Sequence, residues 1–333
     1  MDYELWDLNP LLGHLHAVAT AEPAEVEPGD LVAKMSAYNE AFTPAWPRMG
    51  YWFPEEFMPL LSRAWGFYHS LDDDRLKGAL LVPLLKATRH FSYNDAGRQK
   101  LSRSPVASKR VAGLLNRDWH SLFYQMVRNG LREVQKKRME YRALGPKPVK
   151  ATIRAGVDTF SLALERQHDL LVTSPPYLQA QEYMRAAKID LYWLGYSEER
   201  VRELCKTEIP YRHVPQCPIY SSTYLEHLEL VEEAHLRKVY EQYFQGVLGA
   251  LTRLQKRIRG HLLLFVGPAT VRSRPIPISR IFAEHFAALG WRHERTMVDT
   301  IAARTMFFYK ANPATGLRDQ RMLTEHLVVL SRT

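Results

Sequence analysis

The chain is poor in cysteine: Cys205 and Cys217 are the two among 333 residues. Two thiols make no disulfide framework and no zinc-ligand spacing, so a reduced pair is the default reading and no metal site is expected. No apolar run reaches the length a membrane span requires, and residues 1–14 lack the basic-then-apolar profile of a signal peptide. Internal repeats and low-complexity tracts are missing as well. These absences set aside secreted disulfide scaffolds, membrane-embedded proteins and solenoids, and they point to the cytoplasm. What is present is globular in character, with 46% hydrophobic and 24% charged residues. At this length the chain can bury a real core, as one large domain or two modest ones.

Positive charge prevails. The formal net charge of +9 favours a polyanionic partner. Between Arg103 and Arg154 thirteen basic residues face three acidic ones, with Arg128, Arg132, Lys136, Lys137 and Arg138 close together. Such a run is either a solvated helix face or a phosphate-binding surface, and composition does not choose between them.

Apolar periodicity predicts a strand over residues 2–6 and a helix through Leu11, Leu12 and Leu15. From about 31 to 143 the pattern is helical. Phe57, Leu60, Leu61, Ala64 and Phe67 make one face; Leu76, Leu80, Leu81, Leu84 and Leu85 make another. A polar stretch over 93–109 reads as a loop. After Gly145-Pro146-Lys147-Pro148 the period changes: residues 151–153 predict a strand, and the continuous apolar run 169–173 predicts a buried parallel strand. Helices are predicted over 183–194, 198–206 and 278–289, with a long amphipathic one over about 224–259. Strands are predicted over 261–266, 291–300 and 325–330. Strands separated by helices imply an α/β sheet, with the helical segment 31–150 inserted into it.

Ligands of open α/β sheets bind beyond the carboxyl ends of the strands, where the run ending at Thr173 delivers Ser174-Pro175-Pro176-Tyr177. Two consecutive prolines fix φ and remove two backbone donors, leaving carbonyl acceptors in a rigid frame. Such acceptors can bind the amino hydrogens of a nucleobase and aim its nitrogen at a methyl donor. Tyr177 offers a face for a flipped base, and Ser174 one more hydrogen bond. No covalent intermediate is needed, so catalysis would rest on orientation and on acceptors placed where positive charge develops. The bland alternative is a turn that merely ends a strand.

Thr173-Ser174-Pro175-Pro176-Tyr177 resembles motif IV of the amino-methyltransferases, in the Ser-Pro-Pro-Tyr form usual for cytosine-N4 enzymes. The match continues through Tyr183-Met184-Arg185, Lys188, Leu191-Tyr192-Trp193-Leu194-Gly195 and Ile209-Pro210-Tyr211-Arg212, similar to a bacterial and archaeal DNA modification methylase family. The resemblance implies a Rossmann-like class I methyltransferase sheet with a mainly helical insert, using S-adenosylmethionine on double-stranded DNA. It implies a division into 1–30 (start of the sheet), 31–150 (target recognition) and 151–333 (the remainder). Trp6-Asp7-Leu8-Asn9-Pro10 resembles motif II, which makes Asp7 the candidate holder of the cofactor ribose, with Asn9 and Pro10 beside it; capping of the next helix is the structural alternative. Gly156-Val157-Asp158 resembles motif III, giving Asp158 and, with it, Thr173 to the cofactor. Phe265-Val266-Gly267, Val271-Arg272 and Pro275-Ile276-Pro277-Ile278 resemble the family's fifth strand and loop. Catalysis falls to Ser174, Pro175, Pro176 and Tyr177. Nucleic-acid contacts are expected from Arg98, Lys100, Arg103, Lys109 and Arg110 in the insert, and from Tyr183, Arg185, Lys188 and Arg212. Arginine suits guanine edges, whereas lysine mainly meets phosphate.

The family pattern also has a Gly-rich loop of the type Asp-Pro-Phe-x-Gly-x-Gly, which lets backbone approach the methionine end of the cofactor. This sequence contains none. A split enzyme, whose second polypeptide supplies that loop and its strand, is one explanation. A fragment and a degenerate DNA-binding protein are the others. Adenine-N6 methylation, guanosine methylation in transfer RNA and a non-catalytic specificity subunit remain as alternative activities.

Overall fold

The computed structural model describes residues 2–98, 100–145, 149–160, 163–178, 183–209, 212–271, 274–301 and 323–332. The fold is mixed α/β and divides into two compact units. Residues 1–157 and 183–205 make the first; residues 158–182 and 206–333 make the second. Helices predicted at 183–194 and 198–206 therefore pack with the helical segment, although the resemblance groups them with the sheet.

The first unit opens with β1 (Tyr3–Asp7) and α1 (Pro10–Thr20). There follow α2 (Pro28–Ala37), α3 (Met49–Trp52), α4 (Met58–Ser70), α5 (Asp74–His90), α6 (Pro105–Leu115), α7 (Trp119–Ala143) and β2 (Ala151–Ala155); α8 (Tyr183–Trp193) and α9 (Glu198–Lys206) complete it. Four helices start where a short polar side chain accepts a backbone N–H of the first turn: Asn9, Asp73, Ser104 and Asp118. β1 and β2 pair in parallel, Tyr3 opposite Ala151 and Asp7 opposite Ala155. Parallel neighbours need a long crossover, and here the whole helical segment supplies it. Trp65, Trp193, Phe53, Phe57, Phe91 and Phe123 fill its core. Close helix approach comes from Gly130 of α7, where a Cβ would lie 2.9 Å from the Pro83 side chain of α5.

Two cations are taken into this core. Arg138 is not part of the basic surface that its neighbours suggest; it is buried, and its Nε and Nη2 donate to the Val18 carbonyl at 3.0 and 2.8 Å. It thereby closes the carboxyl end of α1, where a helix has carbonyls to spare. Arg89 of α5 donates through Nε and Nη2 to both oxygens of Asp190 in α8, at 2.7 and 2.6 Å, and again to the Ala186 carbonyl. Burial pushes the Asp190 carboxyl above the ordinary carboxylate range, and the Arg89 guanidinium opposes that push.

The second unit contains β3 (His168–Thr173), α10 (Ser222–Glu229), α11 (Ala234–Leu254), β4 (Ile258–Val266), β5 (Ala269–Val271), β6 (Arg274–Ile276), α12 (Ile278–Ala288), β7 (Trp291–Thr300) and β8 (Thr324–Arg332). Its main sheet has the order β3-β4-β8-β7. β3 and β4 are parallel, whereas β8 runs antiparallel to both β4 and β7. Alternate residues Leu262, Leu264 and Val266 of β4 and Val328 and Leu330 of β8 are buried with Tyr240, Phe244, Phe282 and Phe286.

Two expectations are corrected here. The long helix over 224–259 is two helices, because Val231 turns into the protein at the break and Arg274 donates to the freed Leu230 carbonyl at 3.0 Å. The last residues of that span belong to β4. β3 is parallel as predicted, but it is not buried: Leu170 is 42% and Val172 55% exposed. Among the described residues β3 pairs with β4 alone, and β1 in the other unit pairs with β2 alone. Each has one strand edge without a partner there, and the Leu170–Val172 face is about half open.

A buried histidine makes this unit acid-sensitive. His285 of α12 is fully buried; its Nδ1 accepts from the Tyr220 N–H at 3.1 Å and its Nε2 meets Thr252 Oγ1 at 2.8 Å. Burial pulls the imidazole down to about 4. The neutral ring is favoured in the fold, so its contribution is complete above about pH 6.5 and is lost as pH falls toward 4, on the order of 3 kcal/mol. Next to it, burial works to raise the Glu284 carboxyl, but hydrogen bonds from Thr223, Ser221 and Arg280 outweigh it and hold it at about 2. That second loss begins only below about pH 4.5. Denaturant unfolding between pH 7 and 5 is therefore expected to show a stability slope that His285→Gln flattens. An equal slope in the variant would contradict this.

Candidate functional site

Each unit carries part of the set that the sequence singles out. In the first unit, Asp7 ends β1, and its Oδ1 accepts the Asn9 N–H at 2.6 Å. Helix capping is the work of Asn9, whose Oδ1 accepts from Leu11 at 3.1 Å, with Pro10 buried at the first helical position. Asp7 is thus released from the capping role. Burial pushes its carboxyl upward, against the hydrogen bond from Asn9. A half-buried carboxylate in this state gains from further donors, which ribose hydroxyls can supply. Among the described residues its second oxygen has no hydrogen-bond partner. Gly156 follows β2 at φ +73°, a conformation that favours glycine, and Arg200 donates to its carbonyl at 2.6 Å. Its missing Cβ would come within 3.2 Å of Pro10, so the turn after β2 is packed against the start of α1.

In the second unit, Thr173 is the last residue of β3, opposite Leu264, and the turn emerges at the carboxyl ends of two parallel strands. Ser174 is exposed, Pro175 is buried, and Pro176 and Tyr177 are half-buried. Leu178, 1% exposed, anchors the far side of the turn. The Tyr177 hydroxyl donates to Glu325 Oε1 at 2.5 Å, from the beginning of β8.

Asp158 and Arg212, which the sequence assigns to cofactor and nucleic acid respectively, meet each other. Arg212 Nη1 lies 2.5 Å from Asp158 Oδ2, while Asp158 Oδ1 accepts the Phe160 N–H at 3.0 Å. The guanidinium lies over the Phe160 ring at 4.9 Å, and Arg253 is 5.7 Å from the same ring while donating to the Thr159 carbonyl. Arg212 therefore orients Asp158, and this cluster was not evident from residues 54 positions apart.

The insert's basic residues divide by what they touch. Arg103 is held between Tyr93 and Tyr51, at 4.0 and 4.7 Å from their rings, and donates to the Tyr51 carbonyl. Arg110 donates to the Ser92 and Asn94 carbonyls at 2.6 and 2.8 Å, which makes it a brace of the polar loop. Arg98 pairs with Asp95 at 3.4 Å, and Lys100 and Lys109 are exposed. Along α7, Arg128, Arg132 and Lys136 are exposed four residues apart, on one helical stripe. Tyr183 and Arg185 are exposed at the start of α8, and Lys188 is half-buried. Pro210, Tyr211 and Arg272 lie outside the described residues.

Among the described residues no helix is long and apolar enough to cross a membrane, and no group of three or more His, Cys, Asp or Glu side chains is placed to hold a metal ion. The chain matches no family model, no curated protein and no solved structure.

Proposed function

We propose that this protein is the base-binding part of an S-adenosylmethionine-dependent DNA methyltransferase that modifies an exocyclic amine, N4 of cytosine. The observation that carries the reading is the Ser174-Pro175-Pro176-Tyr177 turn at the carboxyl ends of parallel β3 and β4. Ligands of such sheets gather at that edge. There the turn offers an exposed hydroxyl, proline-fixed carbonyls and an aromatic ring.

Asp7 would hold the cofactor ribose, and its half-buried, incompletely satisfied carboxylate fits that duty. Asp158, oriented by Arg212, would accept from the adenine amino group. The cofactor, when bound, supplies an electrophilic methyl group. The protein's part is to strip the base from the duplex, stack it on Tyr177 and point its amine lone pair at that methyl. Carbonyl oxygens of the turn then face the positive charge that develops on the amine. The sequence has no Gly-rich loop for the methionine end, and the proposal includes a second polypeptide that brings one. Among the described residues β1 and β3 each keep one edge without a strand partner, which supports this, since an open parallel edge is a template for another strand.

DNA would lie on the basic stripe of α7 and on Lys109. Changing Lys109, Arg128, Arg132 and Lys136 together to glutamine is expected to weaken DNA binding at least about tenfold near 0.1 M salt, and to reduce the log–log salt slope by roughly 3. Fluorescence anisotropy over a salt series measures both. An unchanged slope would leave this surface a solvated helix face.

A further inference from the structure

Glu325 had no part in the sequence-based site, and it lies 148 residues from the turn it touches. Its position follows from topology. β8 runs antiparallel to β4, with His326 opposite Val266, the last residue of that strand. The first residues of β8 therefore lie at the edge where β3 and β4 end, and Glu325 is among them. A carboxylate has a reason not to be there. In the β7–β8 register Glu325 stands directly opposite Asp299, and like charges in that relation destabilise a sheet. Its Oε1 instead receives the Tyr177 phenol at 2.5 Å. The strand end is fixed in turn by His326, whose Nδ1 bonds Ser279 Oγ at 3.0 Å.

We propose that Glu325 is a positioning residue for the base pocket, holding the Tyr177 ring at a set angle by accepting its phenolic proton in a hydrogen bond. The inference rests on the reading of the turn as the base site. A phenol has one proton to give. With that proton directed at Glu325, the ring is tethered at its hydroxyl end, while buried Pro175 and Leu178 anchor the backbone on either side. The tether fixes the position of the ring's far end and so restricts χ1. Because a phenolic O–H prefers the plane of its ring, the direction of Glu325 also favours one ring plane for the face on which a flipped base would stack. Orientation of this kind acts on the chemical step more than on binding.

Kinetics on enzyme purified from its host through a tag on this chain, so that any partner is retained, test the proposal. Tyr177→Phe, Glu325→Ala, the double variant and Glu325→Gln are compared for methyl transfer from labelled S-adenosylmethionine to DNA. Tyr177→Phe and Glu325→Ala are each expected to lower kcat by about tenfold with KM little changed, and the double variant no further than either single. Glu325→Gln, which keeps an acceptor oxygen, is expected to stay within about threefold of the parent. Full activity of Glu325→Ala, or losses that multiply in the double variant, would overturn the positioning role. An equal kcat loss in Glu325→Gln and Glu325→Ala would overturn it too, by pointing to the charge instead. A parent enzyme that transfers no methyl group would instead overturn the methyltransferase reading, and this proposal with it.

Discussion

Tyr177→Ala is expected to lower kcat for DNA methylation by about 100-fold, while affinity for duplex DNA changes by less than about threefold. Stacking of a base on an aromatic side chain is worth ~1–3 kcal/mol, and a misplacement of ~1 Å costs about as much again in the chemical step. On the proposed reading Tyr177 would serve both ends, its ring as the stacking face and its backbone as the close of the proline turn. On the same reading duplex affinity would come mostly from phosphate contacts elsewhere, so it should be largely spared. The ring is half-buried, and its loss leaves β3 and β4 paired through backbone hydrogen bonds that do not involve it. Ser174→Ala is the gentler companion, because Ser174 is exposed and its loss removes a single hydroxyl. Single-turnover methylation and anisotropy on the same preparations separate the chemical step from binding. Equal losses in both measurements would mean that the turn holds the duplex and not the flipped base.

Arg89→Met is expected to cost about 3 kcal/mol of stability at pH 7. The methionine keeps most of the packing volume but leaves the Asp190 carboxylate without its partner, and that side chain is 5% exposed. Removing one member of a buried pair costs ~3–5 kcal/mol, since a charge is stranded in the interior. The lower end applies because Arg89 itself is one-third exposed. The sign of the pH dependence is a further check. Burial raises the Asp190 carboxyl, and it does so more once the guanidinium is gone. A group whose folded pKa is raised penalises the fold while ionised, so the penalty is relieved as pH falls through that value. Urea unfolding at pH 7 and pH 5 should show the variant recovering part of its deficit at the lower pH. A deficit that stays constant would mean that lost packing, not the stranded carboxylate, sets the cost.

Local pattern made most of the elements legible. Proline and glutamate over 21–30 mark a break after α1, although α2 already begins at Pro28, and the strand over 291–300 follows from its sequence alone. Asn9 before Pro10 signals a helix start, and the structure gives the cap to Asn9 and not to Asp7. Pairings between distant residues carry no local signature. Arg138 reads as one more surface cation until Val18 is placed beneath it. The Asp158–Arg212 pair and the Tyr177–Glu325 bond likewise depend on crossovers that sequence spacing does not reveal. The exposure of Leu170 and Val172 is of the same kind. A continuous apolar run predicts burial on both faces, but whether a layer packs on each face is decided by distant segments.

The most direct test of the proposed activity is the nucleoside content of the host's own DNA, read by mass spectrometry with the gene intact, deleted, or carrying Ser174→Ala. It needs no knowledge of the recognition sequence or of a partner chain. N4-methylcytosine is expected in the first strain and absent or strongly reduced in the other two. Identical nucleoside profiles in all three would contradict the assignment of the Ser174–Tyr177 turn to amine methylation.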